Sequence, residues 1–143
     1  MDAVPWWDIL HTGHAQLEAE HKQLVDLFNE LADGVKDHKD RACCEAMLDD
    51  VIRTAKSHFE REEALMLEQG YPSVQQHIAD HAALLNKARE YKLGFDVDSA
   101  EDCYWDLVRF AEVWLCFHIL FADKDFGEFL AQKERGAAAR AVG

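Results

Sequence analysis

At 143 residues the chain has the size of one domain and enough length to bury a substantial core. Its hydrophobic content of 49%, with two prolines and seven glycines, suits a globular protein of long unbroken helices. A formal net charge of −13 sets it against nucleic acid and anionic lipid and toward cations or a basic protein partner. No apolar run approaches the ~18 residues of a membrane span, and the opening MDAVPWWD has neither the basic nor the apolar region of a secretory signal. We therefore expect a cytoplasmic monomer with no membrane insertion.

Residues 1–15 read as an arm rich in Trp and His, 16–130 as the bundle and 131–143 as a tail. The first helix is expected over 17–38, with an inward stripe of Leu17, His21, Leu24, Phe28, Leu31 and Val35. The second covers 41–69, with Asp40 as N-cap and Gly70 just past its end, and its stripe is Leu48, Ile52, Ala55, His58, Glu62, Leu65 and Gln69. Tyr71-Pro72 enforces a stop. Ser73-Val74-Gln75-Gln76 then reads as a capping box for a third helix over 74–93, striped by Val74, His77, His81, Leu84, Ala88 and Tyr91 and closed by Gly94. Ser99-Ala100-Glu101-Asp102 opens a fourth helix over 100–125, striped by Tyr104, Leu107, Ala111, Trp114, His118 and Phe121. Phe126-Gly127 is expected to break it, a short last helix to run to Glu134, and the remaining tail to fray. Short connections between long helices favour antiparallel neighbours, so the fold class is all-α, an antiparallel up-down-up-down four-helix bundle.

Five of the eight histidines, and Glu62, thus occupy stripe positions where leucine belongs. Leaving them buried without partners would cost about 1–3 kcal/mol for each neutral group and far more for the charge. His58 and Glu62 are four apart on one helix face, as are His77 and His81, so each pair can converge on one point. All four helices contribute at least one imidazole. That is more than one tetrahedral zinc can use, and mixed imidazole and carboxylate ligation without thiolate suits a pair of iron or manganese ions. A ferritin-like oxidase is a poorer match. It wants Glu-x-x-His on two helices, and only Glu18-x-x-His21 fits here.

The order His21, then His58-Phe59-x-x-Glu62-Glu63, then His77-x-x-x-His81, then Trp114-Leu115-x-x-His118-Ile119-x-x-x-Asp123-Lys124 resembles hemerythrins, most closely the bacterial ones. The arm Trp7…Thr12-Gly13 and the Gly70-Tyr71-Pro72 turn fit the same pattern, and the resemblance spans about Trp6 to Leu130. It implies two iron ions. His77, His81 and His118 would serve one; His21 and His58 would serve the other, which keeps an open position. Glu62, Asp123 and a solvent-derived oxo or hydroxo group would bridge them. It also implies a dioxygen pocket lined by Leu24, Phe59, Trp114, Leu115 and Ile119, and reversible dioxygen binding for transport, storage or delivery rather than catalysis. A sensor acting through a partner, or a peroxidase, nitric oxide reductase or iron oxidase, are the alternatives within the family.

Asp123 poses a geometric problem. Five residues after His118, it lies about 140° round an ideal helix. A local π-turn would carry it back to the metal, and we expect one there. Among departures from the family pattern, Glu20 stands where glutamine commonly precedes the first ligand and is expected to act on His21. His11, His14 and His38 match no ligand position. Cys43, Cys44, Cys103 and Cys116 form no CxxC pair and are expected to be reduced; Cys103 reads as packing, and the adjacent Cys43-Cys44 as at most a minor redox or soft-metal site.

Overall fold

In a computed structural model of the chain, residues 14–93, 100–110 and 118–142 are described. They form α1 (Ala15–Lys36), α2 (Arg41–Gln69), α3 (Val74–Leu93), α4 (Ala100–Phe110), a π-helical segment (His118–Asp123) and α5 (Lys124–Val142), with no strand among them. α1 packs on α2 and α4, and α2 on α3. The bundle is all-α, as its stripes and short connections require.

The helix ends have identifiable chemical causes. The His14 Nδ1 atom caps α1 by accepting from the Leu17 N–H at 3.4 Å. Asp40 caps α2 by accepting from the Cys43 N–H at 2.8 Å. Gly70 ends α2 in the left-handed region, at φ 70°, and the Tyr71 N–H returns to the Met66 carbonyl at 2.9 Å. This closure satisfies carbonyls the helix would otherwise leave orphaned. His38 also takes a positive φ, 59°, in the turn between α1 and α2.

Two expectations about the C-terminal region fail. Phe126-Gly127 does not break the chain: both residues are buried inside α5, where Phe126 anchors an apolar cluster. Nor does helix end at Glu134. α5 continues to Val142, because Ala137, Ala138, Ala139 and Ala141 favour helix even without an apolar stripe. Trp6, Trp7, His11, Trp114, Leu115 and Cys116 lie outside the described residues.

The core divides into two apolar clusters. The larger joins Leu24, Phe28, Leu31 and Val35 of α1 to Cys44, Leu48 and Val51 of α2, with Cys103, Leu107 and Ile119. The smaller joins Leu17, Met66, Phe126 and Leu130. Between them the buried faces turn polar: His21 lies between Leu17 and Leu24, His58 and Glu62 between Val51 and Met66, and Asp123 between Ile119 and Phe126. Cys43 is exposed while its neighbour Cys44 is buried, so the pair does not present two thiols to one point.

Candidate metal centre

The buried polar positions of the stripes come together in one cluster. Glu62, His77, His81, His118 and Asp123 offer ligand atoms all within 4.8 Å of one another, and so do His21, His58, Glu62 and Asp123. Glu62 and Asp123 belong to both groups. The cluster is dry: Asp123 is 0% exposed, and His21, His58 and Glu62 are each 1% exposed. α1 supplies His21, α2 supplies His58 and Glu62, α3 supplies His77 and His81, and the π-segment supplies His118 and Asp123. That segment begins on His118 and ends on Asp123, as the five-residue spacing demanded. The Nε2 atom of His118 lies 2.9 Å from Asp123 Oδ1.

Distances inside the cluster are short, but few contacts are aimed as hydrogen bonds. His77 Nε2 lies 2.7 Å from both Glu62 Oε1 and Asp123 Oδ1. His21 Nε2 lies 2.9 Å from Asp123 Oδ2, and His58 Nε2 3.3 Å from Glu62 Oε2. Among the described residues, Nε2 of His21, His58, His81 and His118, both oxygens of Glu62 and Oδ2 of Asp123 nevertheless lack an aligned hydrogen-bond partner. Buried polar atoms are rarely left so. These orphaned atoms belong to donor types that hold hard or borderline metal ions, and two shared carboxylates suit a pair of ions. The residues fit a metal centre.

Electrostatics agree. Burial would raise the Glu62 carboxyl, but His21, His58, His77 and His81 around it hold it far below the usual carboxylate range. Burial and the Glu62 charge would raise Asp123, and His118 and His21 outweigh both, keeping it low. Burial alone would lower His21 and His77; the facing Asp123 and Glu62 reverse this and lift each to about 9. Burial wins at His81, whose imidazole is lowered, with the neighbouring His118 and His77 adding to the shift against Glu62. Protons thus sit on this cluster where cations could, and metal binding must displace them.

Leu24 and Phe59 line an apolar cavity of about 30 Å³ that also touches Phe28, Leu48, Val51, Ala55, Leu84, Ala88, Tyr91 and Phe110. The Phe59 ring stacks on the His81 imidazole, centroids 3.9 Å apart and planes 8° apart. Ile119 is buried in the adjoining apolar cluster without lining this cavity. Glu20 departs from expectation. Although next to His21 in sequence, it reaches across to α2, where Oε1 lies 2.6 Å from His58 Nδ1 and Oε2 accepts from Arg61 Nε at 2.8 Å. Its carboxyl is lowered: burial opposes the shift, and His58 and Arg61 overcome it. Tyr71, whose ring lies 6.5 Å from that of His77, was also not picked out by the stripes, because it sits in the turn rather than on a helix face.

Comparison with known proteins agrees with this architecture. Residues 12–130 match the hemerythrin HHE cation binding domain. A bacteriohemerythrin of Ralstonia nicotianae is 30% identical over 98% of this chain and 96% of its own length. One from Stenotrophomonas maltophilia is 29% identical over 90% of this chain and 82% of its own. A myohemerythrin of Theromyzon tessulatum is 23% identical over 82% of this chain and 86% of its own length. With the family model covering most of the chain and the buried His/Glu/Asp cluster in place, the chain belongs to the hemerythrin family.

Proposed function

We propose that this protein binds dioxygen reversibly at a pair of iron ions, as a carrier, store or delivery protein. The observation that carries the reading is the sharing of Glu62 and Asp123 by two ligand groups inside one dry cluster. His77, His81 and His118 would hold one ion, and His21 and His58 the other, with the two carboxylates between them. The second group has fewer imidazoles, which supports placing the open position there. Held by these residues, two ferrous ions would supply the two electrons that reversible dioxygen uptake requires.

The chain's own residues tune that chemistry. Five neutral imidazoles hold the ions without adding charge, and the two carboxylates cancel half of the four positive charges. A solvent-derived hydroxide shared by the ions would remove one more, and the single charge left on the centre is far easier for a low-dielectric interior to tolerate than four. Beside it, Leu24, Phe59, Leu84 and Ala88 present only hydrocarbon to a cavity of about 30 Å³, room for one small molecule. An apolar diatomic gas suits that lining, whereas water would find no hydrogen-bond partner except the Tyr91 hydroxyl. A lining that excludes water also keeps protons away from the site, which would favour release of the gas intact.

The test is to load the protein with ferrous iron, admit air and then remove the gas. A charge-transfer band that appears and disappears with oxygen, at two irons per chain by metal analysis, is the expected result. Immediate irreversible conversion to the diferric state, or turnover with peroxide or nitric oxide, would replace this reading with a sensor or an enzyme.

A further inference from the structure

The Glu20 carboxylate bridges two helices and two very different environments. Its side chain is 13% exposed, whereas that of Arg61 is 49% exposed and that of His58 is 1% exposed. It therefore stands between the surface and one ligand of the cluster. The Nε2 atom of His58 faces Glu62, leaving Nδ1 as the ring's outward nitrogen, and this is the atom that meets Glu20 Oε1 at 2.6 Å. When Nε2 holds a cation, Nδ1 carries the proton and must donate. Here it donates to a charged acceptor, over a distance typical of a strong charge-assisted bond.

Two other imidazoles of the cluster lack this arrangement. The nearest carboxylate to His81 Nδ1 is Glu63 Oε2 at 3.6 Å, beyond hydrogen-bond length, and His21 Nδ1 has no hydrogen-bond partner among the described residues. The charged acceptor thus serves the group with only two imidazoles, His21 and His58.

We propose that Glu20 is a positioning residue that makes His58 a stronger electron donor, and that Arg61 sets how much of the Glu20 charge His58 feels. This rests on the di-iron reading above. A carboxylate accepting from Nδ1–H draws the proton toward itself and raises the basicity of Nε2. A more basic ligand stabilises ferric over ferrous iron, so the midpoint potential of the ion held by His21 and His58 falls. Arg61 withdraws charge from Glu20 through the 2.8 Å contact and limits the effect. Dioxygen affinity and the lifetime of the loaded protein follow from that potential.

The competing view is that Glu20–Arg61 is only a staple between α1 and α2. Opposite signs separate the two. Glu20→Gln keeps an oxygen that accepts from Nδ1 but removes the charge. It should favour ferrous over ferric iron by roughly tenfold, which is a rise of about 59 mV for one electron, and should weaken iron binding in competition with a chelator. Arg61→Gln leaves Glu20 charged and should lower the potential. Glu63→Gln, which alters a carboxylate beyond bonding distance of His81, should move it less than either. A staple predicts loss of thermal stability in the Glu20 and Arg61 variants with potentials unmoved or moved in the same direction, and that result overturns the proposal. Arg61 is on the surface, so if Glu20→Gln does not retain iron, the sign of the Arg61→Gln shift decides alone. Failure of the unaltered chain to take up iron would remove the di-iron reading itself, whereas normal loading with an unmoved potential removes only the role given to Glu20.

Discussion

The cluster faces two unlike regions of the bundle. Toward the α1–α2 turn it abuts the larger apolar core, and Phe59, stacked on His81, links it to the hydrocarbon-lined cavity. Toward the Gly70 turn it abuts the smaller apolar cluster and two open clefts. One cleft, about 300 Å³, reaches His77 past Tyr71, Ser73, Gln76, Asp80 and Asp125. The other, about 270 Å³, reaches Glu62 past His14, Glu20, Arg61 and Glu68. The cluster is therefore bounded by hydrocarbon on one side and, on the other, by clefts of mixed polar and apolar lining that reach only His77 and Glu62 and carry the acidic groups Glu20, Glu68, Asp80 and Asp125. Under the proposed function this division separates traffic: an apolar gas is suited to the hydrocarbon side, and cations and protons to the polar side.

The most damaging way to break the comparison is to remove what both regions share. Because Glu62 belongs to both ligand groups, Glu62→Ala should abolish stable loading of the pair, lowering iron from two per chain to a trace in metal analysis. His118→Ala should also lose iron. His38→Ala, in the exposed turn between α1 and α2, should retain both ions. Equal loss in all three would mean the cluster is not the metal centre.

The polar side can be sharpened by pH. In the metal-free protein His21 and His77 hold protons up to about pH 9, above their ordinary 6.5. Their contribution to stability is complete below about pH 6.5 and is lost as the pH rises through about 9, so the metal-free protein should melt at lower temperature at pH 9.5 than at pH 7. Loading with ferrous or zinc ions near pH 7 should release protons, up to one from each of these two imidazoles, and an indicator dye should record less release above pH 9. Glu62 and Asp123 act in the opposite sense. Their folded values are depressed, so their contribution is present above the ordinary carboxylate range and is lost as the pH falls, and acid should expel the metal.

The hydrocarbon side is tested by Leu24, which is 0% exposed and lines the cavity. Leu24→Ala should destabilise the fold by ~2–5 kcal/mol in denaturant titrations, through lost burial and an enlarged void. It should also shorten the lifetime of the oxygenated spectrum by admitting water. Leu24→Met, which conserves volume, should cost less than about 1.5 kcal/mol and leave that lifetime near the original. A long-lived oxygenated form in Leu24→Ala would show that dryness on this side does not govern autoxidation.

Much of this division is legible in the residue order. Leu and Phe at three- and four-residue steps mark the helices, and the change from Leu17 to His21 to Leu24 already reads as apolar, polar, apolar along one face. The five-residue step from His118 to Asp123 encodes its own remedy, the π-segment, since no α-helix could satisfy both residues. What escapes is set by tertiary neighbours. The partner of Glu20 is on another helix, so adjacency to His21 pointed to the wrong imidazole. Phe126-Gly127 reads locally as a breaker, yet burial of Phe126 against Tyr71 and Phe129 keeps the helix running. His14 looked idle because a capping role depends on where the helix begins. Trp114 and Leu115, expected in the gas pocket, fall outside the described residues.

The smallest expected effect concerns the turn that closes the polar side. Gly70 adopts φ 70°, where an L side chain is disfavoured, although an added Cβ would meet nothing within 4 Å. Strain, not collision, is therefore the whole cost, and Gly70→Ala should lose about 1–2 kcal/mol. Gly70→Asn, which tolerates this region better, should lose less. The turn also places Tyr71, whose ring rests 5.0 Å from Phe126 and 5.1 Å from Phe129. That aromatic contact on α5 should hold the α2–α3 register when the turn is strained, so Gly70→Ala should still bind two irons. If iron were lost along with this modest stability, the turn rather than the helix stripes would be what positions His77 and His81.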